Sequence, residues 1–250
     1  MRLIADVHGA TEALRRVASH PGPLLILGDF INFIDYRTND GIVTDVSGRE
    51  FTDKMVALRT AGEAVAAGAL WNEFRKGRED ELRTAYNRAI EAAYEDVMSA
   101  LDGAEVYATF GNVDRPELLK AKLPAGARFV DGEAVDIEGL RVGFAGGGIV
   151  SINTPGEVSE TEMEAKLSHL GPVDILCTHV PPAVDALQKD VIAGRAKGSQ
   201  AVLAYIHDHQ PAFHYYGDVH QPQALTWRLG STVCRNVGYF RATGRATSHP

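Results

Sequence analysis

Leu24-Leu25-Ile26-Leu27-Gly28-Asp29-Phe30-Ile31-Asn32 is the stretch on which the reading of this chain turns. Four apolar residues in a row, with no polar alternation, predict a strand covered on both faces. The run stops at Gly28-Asp29. Ligands of open α/β sheets gather beyond the carboxyl ends of the strands, so a carboxylate at that point is placed for chemistry.

The same punctuation recurs on either side. Arg2 to Ala5 reads as a strand that runs into Asp6-Val7-His8-Gly9. Val106 to Phe110 runs into Gly111-Asn112-Val113-Asp114, and Asp174 to Cys177 into Thr178-His179. Phe213 to Tyr216 runs into Gly217-Asp218-Val219-His220. Asp6, His8, Asp29, Asn112, His179, Asp218 and His220 are therefore expected at one edge of the structure. Carboxylates, imidazoles and an amide form a ligand set for divalent transition ions. The absence of a thiolate among them argues against a structural zinc site.

The remaining segments supply helices and smaller strands. Ala10 to Ser19 reads as a helix, with Ala13, Leu14 and Val17 at helical spacing. Arg37 to Gly48 is polar and reads as a loop. Glu50 to Arg75 and Asp80 to Leu101 read as two long helices, with Gly77 near the hinge. The stretch of about 36–104 is thus a helical insertion within a single domain spanning 1–250. It is read as a cap, a contact between copies that would make a homo-oligomer, or a helical layer on the core. Pro116 to Lys122 is a helix with Pro at its start. Three β runs follow, at Ala127 to Val130, Ala134 to Ile137 and Val142 to Ala145. Ser159 to Leu170 is a helix whose Ser159 and Glu162 stand in capping-box spacing. Val202 to His209 is helical, and Leu225 to Arg228 with Thr232 to Asn236 form a closing hairpin.

With 250 residues and 45% apolar side chains, the chain can bury one sizeable α/β core. Its formal net charge is -8, with no long basic run. Binding to long nucleic acid is driven by Lys and Arg, so that partner is not expected. Cys177 and Cys234 lie in apolar runs and read as small buried side chains, which fits a cytoplasmic location. Asp6 and His8 interrupt the apolar start, so no signal peptide is expected. No apolar stretch is long enough to span a bilayer.

In order and spacing these blocks resemble the calcineurin-like metallophosphoesterases, whose pattern runs D-x-H, G-D-x-x-[DN], G-N-H-[DE], a lone His, and G-H-x-H. The matching blocks are Asp6-Val7-His8, Gly28-Asp29-Phe30-Ile31-Asn32, Gly111-Asn112-Val113-Asp114, His179, and Gly217-Asp218-Val219-His220. The resemblance implies a two-sheet β-sandwich flanked by helices. It also implies hydrolysis of a small or medium phosphate mono- or diester by a hydroxide bridging two divalent metal ions. Manganese is the expected ion, with iron, zinc or magnesium as alternatives. Asp6, His8, Asp29 and His220 would hold the first ion; Asp29, Asn112, His179 and Asp218 the second. Asp29, Asn112 and His179 would be the catalytic set. Asn32 and Asp114 would steady ligands by hydrogen bonds, and Arg37 and Arg115 would grip the substrate phosphate. Arg195 and Lys197 are further candidates for that grip.

Two departures from the pattern matter. Val113 stands where the family carries an imidazole that assists the leaving group, and general acids contribute about 10²–10⁴-fold. Asp218 stands where the family has the first His of G-H-x-H, and a carboxylate favours harder ions. Both departures motivate an alternative reading as a catalytically degenerate phosphoesterase-fold binding scaffold. Plainer readings also exist residue by residue: Asp6 as a helix N-cap, Asn112 as a turn residue, His179 as a satisfied buried imidazole. His207, His209 and His214 read as ordinary helix or strand residues.

Overall fold

The computed structural model describes residues 1–151, 154–191 and 196–250. The chain opens with β1 (Arg2–Ile4), α1 (Thr11–Ala18) and β2 (Leu24–Leu27). Four helices follow: α2 (Ile42–Ser47), α3 (Arg49–Thr60), α4 (Ala64–Arg75) and α5 (Glu79–Ser99). Then come β3 (Val106–Thr109), α6 (Pro116–Lys122), β4 (Ala127–Phe129), β5 (Glu133–Ile137) and β6 (Leu140–Ala145). A small ladder of β7 (Gly148–Ile149) and β8 (Glu157–Val158) leads into α7 (Glu160–Leu170) and β9 (Ile175–Thr178). The last part holds α8 (Asp185–Gln188), α9 (Gln200–His209), β10 (Phe213–Tyr216), β11 (Thr226–Leu229) and β12 (Thr232–Asn236). It ends with α10 (Phe240–Thr243) and β13 (Thr247–Ser248).

These elements build a mixed α/β fold with two parallel-rich sheets flanked by helices. One sheet has the order β13-β1-β2-β3-β4, with β1 to β4 parallel and only β13 reversed. The other has the order β11-β12-β10-β9-β6-β5, with antiparallel pairs only at its two edges. The side-chain period of two divides each strand between two cores. Leu3, Leu25 and Leu27 of the first sheet share one apolar cluster with Phe144, Ile175, Cys177 and Tyr215 of the second. The sheets therefore pack on each other. Ile4, Leu24 and Ile26 point the other way and join Leu14 of α1 and Ile90 and Tyr94 of α5. On the far side, Leu176 and Tyr216 join Leu167 of α7 and Val202 of α9. Every residue of β2 and β9 is buried, which is why those strands read as unbroken apolar runs.

The helical segment differs in detail from its sequence reading. Arg37 to Gly48 is not all loop, because Ile42 and Val43 bury themselves and fold the six residues of α2. Their amides bond to the carbonyls of Asn32 and Phe33, which anchors α2 to the turn after β2. Glu50 to Arg75 is two helices rather than one. Gly62 takes φ +76, its amide bonds to Arg59 O, and the Glu63 amide bonds to Leu58 O. That pair of bonds is a Schellman motif, and the left-handed residue it needs is cheapest as glycine. Tyr86, Ile90, Tyr94, Val97 and Met98 of α5 are buried, so this helix forms a layer against the core.

Ser159 and Glu162 form the reciprocal capping box at the start of α7. Cys177 and Cys234 are free and buried, and burial pushes the Cys234 thiol up to about 12. Among the described residues, no helix is long and apolar enough to cross a membrane.

Candidate metal centre

The carboxyl ends of β1, β2, β3, β9 and β10 meet at one edge of the two sheets. The turns there are tight, and four of the residues that make them take left-handed backbone without being glycine: Asp6 (φ 59), His8 (φ 42), Asp29 (φ 58) and Asp218 (φ 62). Such conformations cost on the order of 1–3 kcal/mol each and cluster at functional sites. Asp6 caps no helix, since the residue before α1 is Ala10 and no side chain caps it.

The His–carboxylate pairs converge at 3.5–4.0 Å, and His179 meets Asn112 at hydrogen-bond distance. His8 Nε2 lies 3.5 Å from Asp29 Oδ2 and 4.0 Å from Asp6 Oδ1. His220 Nε2 lies 3.5 Å from Asp6 Oδ1. His179 Nε2 lies 3.6 Å from Asp29 Oδ1, 3.8 Å from Asp218 Oδ1 and 3.3 Å from Asn112 Oδ1. Two groups of ligand atoms fall within 4.8 Å of one another: Asp6, His8 and His220, and Asp6, Asp29 and His179. Ligands bound to one ion at about 2.0–2.2 Å are separated from each other by about 3–3.5 Å.

Backbone carbonyls set which ring nitrogen faces the cluster. His8 Nδ1 donates to Ile31 O at 3.2 Å, and His179 Nδ1 donates to Leu27 O at 2.8 Å. In the neutral ring, the form that binds a cation, the second nitrogen carries the lone pair toward the carboxylates. His8 Nε2 is buried and has no hydrogen-bond partner among the described residues. A buried acceptor aimed at two carboxylates is a costly arrangement unless a cation stands among them. The donor set therefore fits a divalent ion, and these buried Asp and His groups could hold one.

The charges act differently on the two rings. Burial keeps His8 below its usual range, against the pull of Asp29 and Asp6, so it is a neutral ligand. Burial also works against the His179 imidazolium, yet Asp29, Asp218 and Asp6 outweigh it and raise the ring to about 9. Burial would raise Asp6, but His220 and the other two imidazoles hold its carboxyl well below the usual range.

Asp114 works behind the cluster. Fully buried, it accepts from the amides of Asp29 (2.8 Å), Phe30 (3.0 Å) and Gly111 (2.9 Å) and from the Tyr94 hydroxyl (3.1 Å). It thereby ties the loops after β2 and β3 to α5. Burial first, then the Asp29 charge, raises its carboxyl to about 7. Val113 donates its amide to Asp29 Oδ1 at 3.1 Å, while its side chain packs on the apolar core. At Gly111 a Cβ atom would stand 2.1 Å from Asp29 Oδ1 and 2.6 Å from His179 Cε1. Gly111→Ala is therefore expected to displace both side chains and weaken manganese binding by at least about tenfold, the effect of losing one supporting contact. Isothermal titration of the metal-free protein measures it, and an unchanged affinity would show that the pocket tolerates the methyl group.

The other residues picked out in the sequence lie further out. The Asn32 side chain packs by Gly9 and Gly41, with its Oδ1 buried and unbonded among the described residues. Arg37 lies over the Tyr239 ring at 5.2 Å, which puts it at the rim of the centre. Arg115 donates to Asn87 of α5 at 2.8 Å. Arg195 lies outside the described residues. His214 is buried and bonded to Thr178, and burial lowers it to about 3, so it stays neutral in the second sheet.

Three participants carry no signal that sequence reasoning could use. The Tyr239 ring stacks on His220 at 3.9 Å and 5°, and Arg241 bonds to the His8 carbonyl and to Asp35. Tyr94, inside a helix that reads as ordinary, reaches Asp114. Each is a lone residue outside any motif, joined to the site only by folding.

No family model matches the sequence, and no curated protein does. Solved structures do share its form. One covers 96% of this chain and 90% of its own at TM-score 0.58 and 14% identity. TT1561 of Thermus thermophilus aligns over 98% of this chain and 96% of its own, at TM-score 0.52 and 13% identity. At such low identity both likenesses are of fold alone.

Proposed function

We propose that the chain is a metal-dependent phosphoesterase with the metallophosphoesterase fold, acting on a small or medium phosphate mono- or diester. The observation that carries the reading is the convergence of Asp6, His8, Asp29, His179 and His220 from four strand ends, with His8 Nε2 buried and without a hydrogen-bond partner among the described residues. Asp6, His8, Asp29 and His220 would hold a divalent ion, with manganese the expected one. When bound, such an ion polarises a phosphoryl oxygen and lowers the pKa of water to about 7.

This chain's own residues prepare the site. Ile31 and Leu27 fix the imidazoles, Asp114 fixes the turn that carries Asp29, and the Asp218 amide donates to both oxygens of Asp6. A cleft of about 90 Å³ beside the cluster is lined by Asn112, Ile149, Ser151, Lys197 and Asp218, among others, and would receive the ester. Val113 offers no proton, so a good leaving group is favoured over an alkoxide. Bis-p-nitrophenyl phosphate has such a leaving group. Its hydrolysis by the manganese-loaded protein, abolished by a chelator and restored by added manganese, is the expected result. A rate no higher than that of the chelated control would remove the reading.

A further inference from the structure

The ion pair at Asp218 does not belong to the ligand geometry described above. Lys197 Nζ donates to Asp218 Oδ1 at 2.6 Å and to the Asp218 carbonyl at 2.9 Å. The carboxylate is almost fully buried, and the lysine side chain is about one-third exposed, at 34%. Asp218 belongs to neither of the two groups of ligand atoms that converge within 4.8 Å, although its Oδ1 approaches His179 Nε2 to 3.8 Å. Asp218, the carboxylate that the family resemblance assigns to a second ion, thus already holds an ammonium.

Charge counting points the same way. Asp6, Asp29 and Asp218 bring three negative charges to the cluster. One divalent ion and one ammonium balance them; two divalent ions and the ammonium would leave an excess of two positive charges, or of one with a bridging hydroxide. A neutral imidazole at position 218 could not hold a lysine in this way, whereas a carboxylate does. Two of the three ammonium N–H groups are taken by Asp218. Among the described residues no further acceptor takes the third, and Lys197 lines the cleft beside Asn112.

We propose that the protein holds a single divalent ion, and that the Lys197 ammonium, seated on Asp218, occupies the second cationic position and meets a phosphate oxygen of the substrate. This rests on the metal-centre reading above, and the test separates the two. Metal-stripped wild type, Lys197→Ala and Lys197→Arg are each equilibrated with excess manganese, desalted, and assayed for manganese per chain and by electron paramagnetic resonance. Wild type and Lys197→Arg should hold one ion with the six-line spectrum of isolated manganese. Lys197→Ala should take up a second ion and give the broadened multiline spectrum of a coupled pair. Two coupled ions in wild type would overturn the proposal and leave the metal centre standing. One ion in Lys197→Ala would also overturn it, reducing the lysine to a surface partner of Asp218. No ion in any of the three proteins would defeat the metal-centre reading itself. Should Lys197→Ala not fold, the wild-type and Lys197→Arg stoichiometries decide alone.

Discussion

Asp29→Asn is expected to lower manganese-supported hydrolysis of bis-p-nitrophenyl phosphate by about 10³-fold, with little change in thermal stability. Asp29 faces His8 with one oxygen and His179 with the other, at 3.5 and 3.6 Å. Like Asp6, it faces both sides of the cluster. An asparagine of the same shape can still accept the Val113 amide, so the turn should survive. What it loses is the negative charge, and it turns an N–H₂ group toward one of two imidazole lone pairs. A bound ion supplies several kcal/mol of transition-state stabilisation, and each 1.4 kcal/mol or so is tenfold in rate. Loss of the charge should therefore cost about three powers of ten, together with most of the metal affinity. Equal rates for wild type and variant would mean that the reaction, if any, does not pass through this site.

Asp114→Ala should act on stability instead. The carboxylate is the common acceptor for three backbone amides and the Tyr94 hydroxyl, in a place with no exposure. Each buried donor left without a partner costs roughly 1–3 kcal/mol, and water entering the vacated space recovers part of that. A net loss of about 3–5 kcal/mol is expected, and for a chain of this size about 2–4 °C of Tm goes with each kcal/mol. Differential scanning calorimetry should then show a fall on the order of 10 °C. Tyr94→Phe removes one of the four donors and strands the Arg115 amide, so a loss of about 1–2 kcal/mol is expected.

The pH response of Asp114 has a definite sign. Its folded-state pKa is raised from 3.8 to about 7, so in the metal-free protein the stability linked to its proton is fully present below 3.8 and lost as pH rises through 7, while its acceptor bonds remain. Asp114→Ala should lack that component. A Tm within 2 °C of wild type at neutral pH would show that Asp114 does not organise the turn.

The blocks that end in Asp6, Asp29, Gly111-Asn112, His179 and Asp218 were legible without coordinates because each is a local event. An apolar run stops, and a polar residue stands where the strand leaves the sheet. The burial of β2 on both faces was legible for the same reason, since it carries no polar alternation, whereas the two-sheet layering was implied only by the family resemblance. The single long helix read across Glu50 to Arg75 failed where Gly62 closes a Schellman turn, although the glycine was in plain view.

What the sequence by itself determined is which residues stand at the strand ends, since a strand's period and its termination are written over a few adjacent positions. Only the tertiary structure decided what those residues face. Lys197 reaches Asp218 across 21 positions, Asp114 reaches Asp29 across 85, and Arg241 reaches His8 across 233. No spacing rule links residues so far apart, because their meeting depends on how the two sheets and the helical layer pack. That packing sets where charge and buried lone pairs come to rest.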